Sequence, residues 1–239
     1  MCGHRWFPRL ARRPARCSSC YTRHVYGPRE ARRPRRILSR GRFIVLEGGE
    51  GAGKSSVRQG LGERLRADGR DVVLTREPGG TPLGERIRDL VLARAAIDDP
   101  LAELLLFEAA RAHLVASVIR PALDRGTLVL CDRFSASSVA YQGYGRGLGR
   151  EIVERANAIA MGGLAPDLML LLDLPVEQGL ARRSSEGAAN HFDREAVAFH
   201  ERVRAGFLEL ARESPARWCV IDAAQPLDAV VEAAYAAIG

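Results

Sequence analysis

The chain of 239 residues is 46% apolar and 27% charged, with a formal net charge of +7. It has no apolar run approaching the roughly 18 residues that a membrane-spanning helix needs, which excludes a membrane-spanning class, and it is too apolar to be wholly disordered, so a globular chain with one sizeable core is expected. The positive charge is local: residues 1–40 hold twelve arginines against the single acid Glu30, so the rest of the chain is net acidic and any nucleic-acid reading is confined to that segment.

Residues 1–40 show no sustained helical or strand period, and Pro8, Pro14, Pro28 and Pro34 interrupt what pattern there is. They read as a disordered, Arg-rich extension, dispensable to the folded part. Cys17 and Cys20 have a metal-ligand spacing, and Cys2, His4 and His24 would supply further ligands, but a zinc centre needs a second pair at a defined distance and a small fold around it. An Arg-rich, acid-poor start also suits an organellar transit peptide, against which the four prolines count.

From Arg42 the texture changes. The run RFIVLE (42–47) predicts a buried strand, followed by a glycine-rich turn and a helix that begins at Lys54 and ends at Gly69. Further strands are predicted at DVVLT (71–75), TLVLCD (127–132), LMLLLD (168–173) and WCVID (218–222), with helix-length segments between them. That alternation implies right-handed crossovers and an α/β fold: a five-stranded parallel sheet with helices on both faces, over a single domain from 41 to 239. Cys131 and Cys219 fall inside apolar strands, so core thiols are expected rather than a disulfide, which suits a reducing compartment such as the cytoplasm.

The turn after the first strand, Gly48-Gly49-Glu50-Gly51-Ala52-Gly53-Lys54-Ser55 followed by Ser56, is a full match to the phosphate-binding loop of P-loop NTPases. Its glycines let backbone N–H groups approach phosphate oxygens, and the helix behind them aims its positive end at the same place. Lys54 is expected to reach the β- and γ-phosphates of ATP, and Ser55 to ligate Mg²⁺. Lys54 is also the only lysine beside 35 arginines. A codon bias accounts for arginine elsewhere, while this position requires a compact charge on a flexible stem.

The acceptor is indicated by TREPGGTPLGERIR (75–88) and LVLCDRFSASSVAYQG (128–143), which follow the second and third strands and open at the carboxyl edge of the sheet beside the loop. With these residues the chain resembles the thymidylate kinases over about residues 42–238, and DRFSASSVAYQ is specific to that family among nucleoside monophosphate kinases. The resemblance implies phosphoryl transfer from ATP·Mg²⁺ to dTMP. It implies that Phe107 stacks on the thymine and Arg111 hydrogen-bonds it; the two are four apart and share a helix face. It implies that Arg88 holds the dTMP phosphate, that Asp132 holds the metal shell, and that Arg133 bridges the donor and acceptor phosphates. Ser138 and Gln142 match base-contacting positions, Tyr141 the tyrosine that crowds the sugar 2′ position, and Glu50 a glutamate near metal and substrate. Glu77, held extended before Pro78, is expected to shape the acceptor pocket.

A small lid is expected at about 183–193. Relatives with a Glu-Gly loop place several arginines there, whereas here the matching positions are Glu186, Asn190 and His191; Arg182 and Arg183 remain, Arg182 as a catalytic residue, and Asp193-Arg194 substitutes if the segment is shifted. The resemblance further implies a cytoplasmic homodimer. Two rivals stay open: another nucleoside or nucleotide kinase of the same fold, and a catalytically weak nucleotide-binding module whose Arg-rich tail contacts nucleic acid.

Overall fold

The computed structural model describes residues 40–93, 97–185 and 192–239, apart from the side chain of Arg194. The Arg-rich extension with its cysteines and histidines, and the lid positions Glu186, Asn190 and His191, lie outside the described residues.

Strands β1 (Phe43–Glu47), β2 (Val72–Arg76), β3 (Leu128–Asp132), β4 (Leu168–Asp173) and β5 (Trp218–Asp222) form one parallel sheet in the order β2-β3-β1-β4-β5. Successive residues of β1 serve opposite faces. Ile44 and Leu46 pack with α1 (Lys54–Ala67) and α9 (Leu227–Ile238), through Val57, Leu61, Val230 and Ala234. Phe43 and Val45 pack on the other side with Leu114, Ile119 and Leu123, from α3 (Pro100–Leu114), the π-helical turn Val115–Ile119 that continues it, and α4 (Arg120–Asp124). All four of these β1 side chains are fully buried. Two-sided burial is why the central strands β1 and β3 read as unbroken apolar runs instead of alternating ones. Cys131 is buried, Cys219 half-buried, and both are free thiols.

The remaining helices stand around the carboxyl edge. Helix α2 (Pro82–Leu92) starts at Thr81, whose hydroxyl accepts from the Gly84 N–H at 2.9 Å, and α3 starts at Asp99, whose carboxylate accepts from the Ala102 N–H at 2.7 Å. Each has proline at its first position, where a missing N–H costs nothing. Helix α5 (Ser135–Ser138) runs into a π-helical segment, Val139–Gly145. Helix α6 (Arg150–Met161) ends at Gly162 in the left-handed conformation, and α7 (Val176–Ser185), the 3-10 turn Phe192–Arg194 and α8 (Val197–Glu213) complete the chain. Among the described residues no helix is long and apolar enough to cross a membrane.

The register brings three strand ends together. Leu46 pairs with Asp132 and Asp132 with Arg76, the Arg133 N–H donates to the Leu46 carbonyl at 2.9 Å, and the Glu77 N–H donates to the Asp132 carbonyl at 2.9 Å. The chain folds β2 and β3 to one side of β1, and β4 and β5 to the other. That reversal opens a crevice at the carboxyl ends, the usual ligand position in such sheets.

Candidate nucleotide site

The glycine-rich loop turns tightly over the end of β1. At Gly48, φ is 142°, and a Cβ would meet the Leu172 carbonyl oxygen at 2.5 Å. At Gly51, φ is 67°, and a Cβ would meet the Gly179 oxygen at 2.0 Å. No side chain caps α1, which leaves its first N–H groups to whatever anion the loop encloses. Lys54 lies within this turn, 8% exposed, and its Nζ donates to the carbonyls of Gly49 and Gly48 at 2.6 and 3.1 Å. Burial, reinforced by the neighbouring Arg133, lowers its pKa to about 8 against the opposing pull of Glu50, Asp132 and Glu47. One residue on, the Ser55 hydroxyl donates to Asp132 Oδ2 at 2.7 Å.

Arg133 follows β3 with φ 68°, the only left-handed non-glycine among the described residues. Its guanidinium spans the floor of the crevice, donating to the Gly48 carbonyl at 3.2 Å, Glu50 Oε1 at 2.9 Å and the Tyr141 hydroxyl at 3.0 Å. Tyr141 in turn donates to Glu50 Oε1 at 2.7 Å. Burial alone would raise the Glu50 carboxyl; Arg133, Lys54 and the Tyr141 hydroxyl overcome it and hold it at about 2. Glu50 is therefore a firm anion, with Oε1 committed to Arg133 and Tyr141 and not to the Ser55–Asp132 pair.

Loop, strand ends and helices line a chamber of about 260 Å³ that opens to solvent. Six cationic side chains line it against three carboxylates, a balance that suits a polyanion. Arg88 is half-buried, donates to the Pro78 carbonyl at 3.0 Å, and has its pKa lowered by burial and by Arg76 beside it. Two guanidiniums so placed gain from any phosphate between them. Arg111 is 1% exposed. It pairs with Glu77 at 2.7 Å and with Glu108, and donates to Ser138 Oγ at 3.1 Å, Asn157 Oδ1 at 2.6 Å and the Phe134 carbonyl at 3.1 Å. Those partners occupy the whole fork, so Arg111 is a rigid wall with its charge locally compensated. Burial raises the Glu77 carboxyl to about 7 in spite of Arg111, and the nearby Glu108 and Glu47 carboxylates add to the rise; Glu77 Oε1 has no hydrogen-bond partner. Gln142 donates to Glu103 at 2.7 Å. The ring of Phe107 faces that of Phe192 with centroids 6.3 Å apart, and Tyr141 meets Phe192 edge-on at 5.7 Å.

Of the residues expected from sequence, Glu50, Gly51, Gly53, Lys54, Ser55, Ser56, Glu77, Arg88, Phe107, Arg111, Asp132, Arg133, Ser138, Tyr141 and Gln142 line this one chamber. Gly48 and Gly49 contribute carbonyls to Lys54, and Ala52 packs into the core under the loop. Arg182 does not line the chamber: it donates to the Ala223 carbonyl at 3.0 Å, beyond β5, and Arg183, one residue and about 100° further round α7, faces the chamber instead. Arg183 is held by Asp193 through two contacts of 3.0 and 3.1 Å. Sequence reasoning also missed Arg76, Ser137 and Phe192 in the chamber wall. It missed Glu47, a fully buried carboxylate beneath the wall, which read as no more than the end of a strand.

Comparison with known proteins accords with this geometry. The family model described as thymidylate kinase matches residues 46–234. A thymidylate kinase of Thermosynechococcus vestitus is 53% identical over 204 residues, covering 81% of this chain and 85% of that protein. One of Deinococcus radiodurans is 49% identical over 201 residues, covering 84% and 98%. Among solved structures, a thymidylate kinase from Ehrlichia chaffeensis superposes with a TM-score of 0.68 at 32% identity, covering 83% of this chain and 98% of that one.

Proposed function

We infer, from the premise that this chain belongs to the thymidylate kinase family, that it transfers the terminal phosphoryl group of ATP to dTMP, giving dTDP and ADP for nucleotide biosynthesis. The observation that carries the assignment of roles is the shared chamber. The phosphate-binding loop and the wall bearing Arg88, Phe107, Arg111 and Tyr141 face the same space, with Asp132 and Arg133 also in its lining.

In this reading the loop N–H groups and Lys54 cradle the ATP phosphates, and Arg88 with Arg76 grips the dTMP phosphate. Arg133 lies between them, where charge is shared during transfer. Phe107 offers a ring face to the thymine, Ser138 and Gln142 polar edges, and the Arg111 fork a fixed backing. Tyr141, anchored by Glu50 and Arg133, stands where the sugar would pass. No protein nucleophile is required, because positioning and charge stabilisation suffice for phosphoryl transfer.

Mg²⁺ fits the donor end. Ser55 and Asp132 present two hard oxygens 2.7 Å apart, and no cluster of three or more His, Cys, Asp or Glu side chains suited to a metal exists among the described residues. Mg²⁺ needs no such cage, since it takes one or two protein oxygens and completes its shell with phosphate and water. Bound there, the ion would neutralise phosphate charge.

The rival readings draw no support. A kinase acting on a nucleoside has no use for a cationic acceptor end, and the family match covers residues 46–234, nearly all of the folded part. The cytoplasm, where ATP and dTMP occur, is the compartment this reading assigns. A homodimer is the assembly it assigns, supported by apolar pairs exposed on adjoining helices: Leu83 and Leu90 on α2, Leu101 and Leu105 on α3, Ile152 and Ile159 on α6. Equilibrium sedimentation giving a monomer's mass at micromolar protein would rule that out.

A coupled assay over a panel of nucleoside monophosphates tests the assignment. dTMP is expected to give the highest kcat/KM; faster turnover of dGMP or AMP would show that the base contacts are misread.

A further inference from the structure

Glu47, the last residue of β1, is 0% exposed and lies under the chamber wall without lining it. Its Oε1 accepts from the N–H groups of Phe134 and Ser137 at 3.0 and 3.3 Å, and its Oε2 accepts from the Ser137 hydroxyl at 2.6 Å. Phe134 is the cap position of α5, and no side chain of that helix caps it. A carboxylate reaching across from β1 therefore satisfies the Phe134 N–H that the helix leaves open and shares the Ser137 N–H with the Phe134 carbonyl, 3.1 Å away. The Ser137 hydroxyl, while donating to Glu47, also accepts from Arg133 Nη1 at 3.3 Å.

We propose that Glu47 is a positioning residue of the phosphoryl-transfer step, holding the Arg133 guanidinium through Ser137 at the junction of donor loop and acceptor wall. This rests on the reading of Arg133 as the group between the two phosphates. Arg133 needs such support: its left-handed backbone is costly for a non-glycine residue and persists only where its surroundings fix it. A buried carboxylate is itself costly, and three donors offset that cost here. Burial lifts the Glu47 carboxyl to about 7, with the Ser137 hydroxyl, Arg133 and the Phe134 N–H pulling the other way. An apolar side chain at the same place would avoid the penalty, but would leave the Phe134 N–H and the Ser137 hydroxyl without this acceptor, the Ser137 N–H with only the Phe134 carbonyl at 3.1 Å, and Arg133 without its relay.

Glu47→Gln separates positioning from folding. The amide oxygen can still accept from both N–H groups, while its NH₂ must donate to Ser137 Oγ, reversing the relay. The expected result is a kcat about tenfold lower, on the scale of one hydrogen bond to a charged group, with KM for ATP and dTMP within about twofold and an unfolding midpoint no lower than wild type. Ser137→Ala should give a similar loss, and serves as the test if no Glu47 variant folds. The decisive measurement repeats both substitutions in an Arg133→Ala background by single-turnover assay. If the relay acts through Arg133, each should cost less than about twofold there. The same tenfold loss in that background, or wild-type kcat for Glu47→Gln and Ser137→Ala, overturns the proposal. An Arg133→Ala variant with wild-type kcat on dTMP would overturn the underlying role of Arg133, an outcome that the parent single variant reports separately.

Discussion

The ammonium of Lys54 contacts two carbonyls of its own loop from within the turn, at 2.6 and 3.1 Å. A guanidinium is planar and wider, and delivers its charge further from the loop floor, so an arginine cannot occupy that space without displacing the backbone N–H groups meant for phosphate. Lys54→Arg is expected to fold with a near-native midpoint and to lose about 10²- to 10³-fold in kcat, the scale of one misplaced charge-stabilising donor. Near-normal turnover would refute the steric argument. Glu77 makes a different prediction, about pH. Its carboxyl is raised to about 7 from the ordinary 4.5, so between those values the unfolded chain has released a proton that the native state keeps. The native state loses stability as pH climbs through that window and levels off above it. Glu77→Gln cannot ionise. Its stability relative to wild type, read from urea unfolding, should rise from pH 4.5 to 7 and then stay constant; a flat difference would mean that Glu77 is ionised throughout.

Between elements, the tightest approach in the donor half is that of the loop to α7. A Cβ on Gly179 would meet the Glu50 carbonyl oxygen at 2.3 Å, a backbone atom that no side-chain rotation relieves. Alanine in a helix is ordinarily favoured over glycine by about 1 kcal/mol, so the two effects oppose each other. At 2.3 Å the contact should win. Gly179→Ala is expected to destabilise by about 1–3 kcal/mol, as overpacking does, and to raise the KM for ATP by tilting the loop; increased stability would mean that α7 moves freely from the loop. Sequence periodicity conveys nothing of such approaches, although it does convey the elements. β4 and β5 lie at the predicted boundaries and β2 within one residue, because each is a short apolar run bounded by polar or turn-forming residues, whether central or at the sheet edge. The π-helical segment Val139–Gly145 has no such signature, nor does the choice between Arg182 and Arg183, which turns on the phase of α7. Glu47 was illegible for a plainer reason: its partners are about 90 residues away, on a helix that only the fold brings to it.

For the whole molecule the question is where charge resides. The folded part is net acidic once residues 1–40 are set apart, yet its chamber gathers six cations against three carboxylates. The field that draws ATP and dTMP is therefore expected to be local, focused by low-dielectric walls, and opposite in sign to the net charge of the folded part. Every residue lining the chamber falls between Glu50 and Phe192, every described strand and helix lies between Phe43 and Ile238, and the family model spans 46–234. A chain begun at Arg40 should then fold and phosphorylate dTMP with a kcat/KM within about twofold of the full chain, since it keeps every residue that lines the chamber. The two chains should also share one dependence of kcat/KM on ionic strength. If the shorter chain were instead tenfold slower at low salt and equal at high salt, the arginines of the first 39 residues would be steering anionic substrates into the chamber, and the field would belong to the chain as a whole.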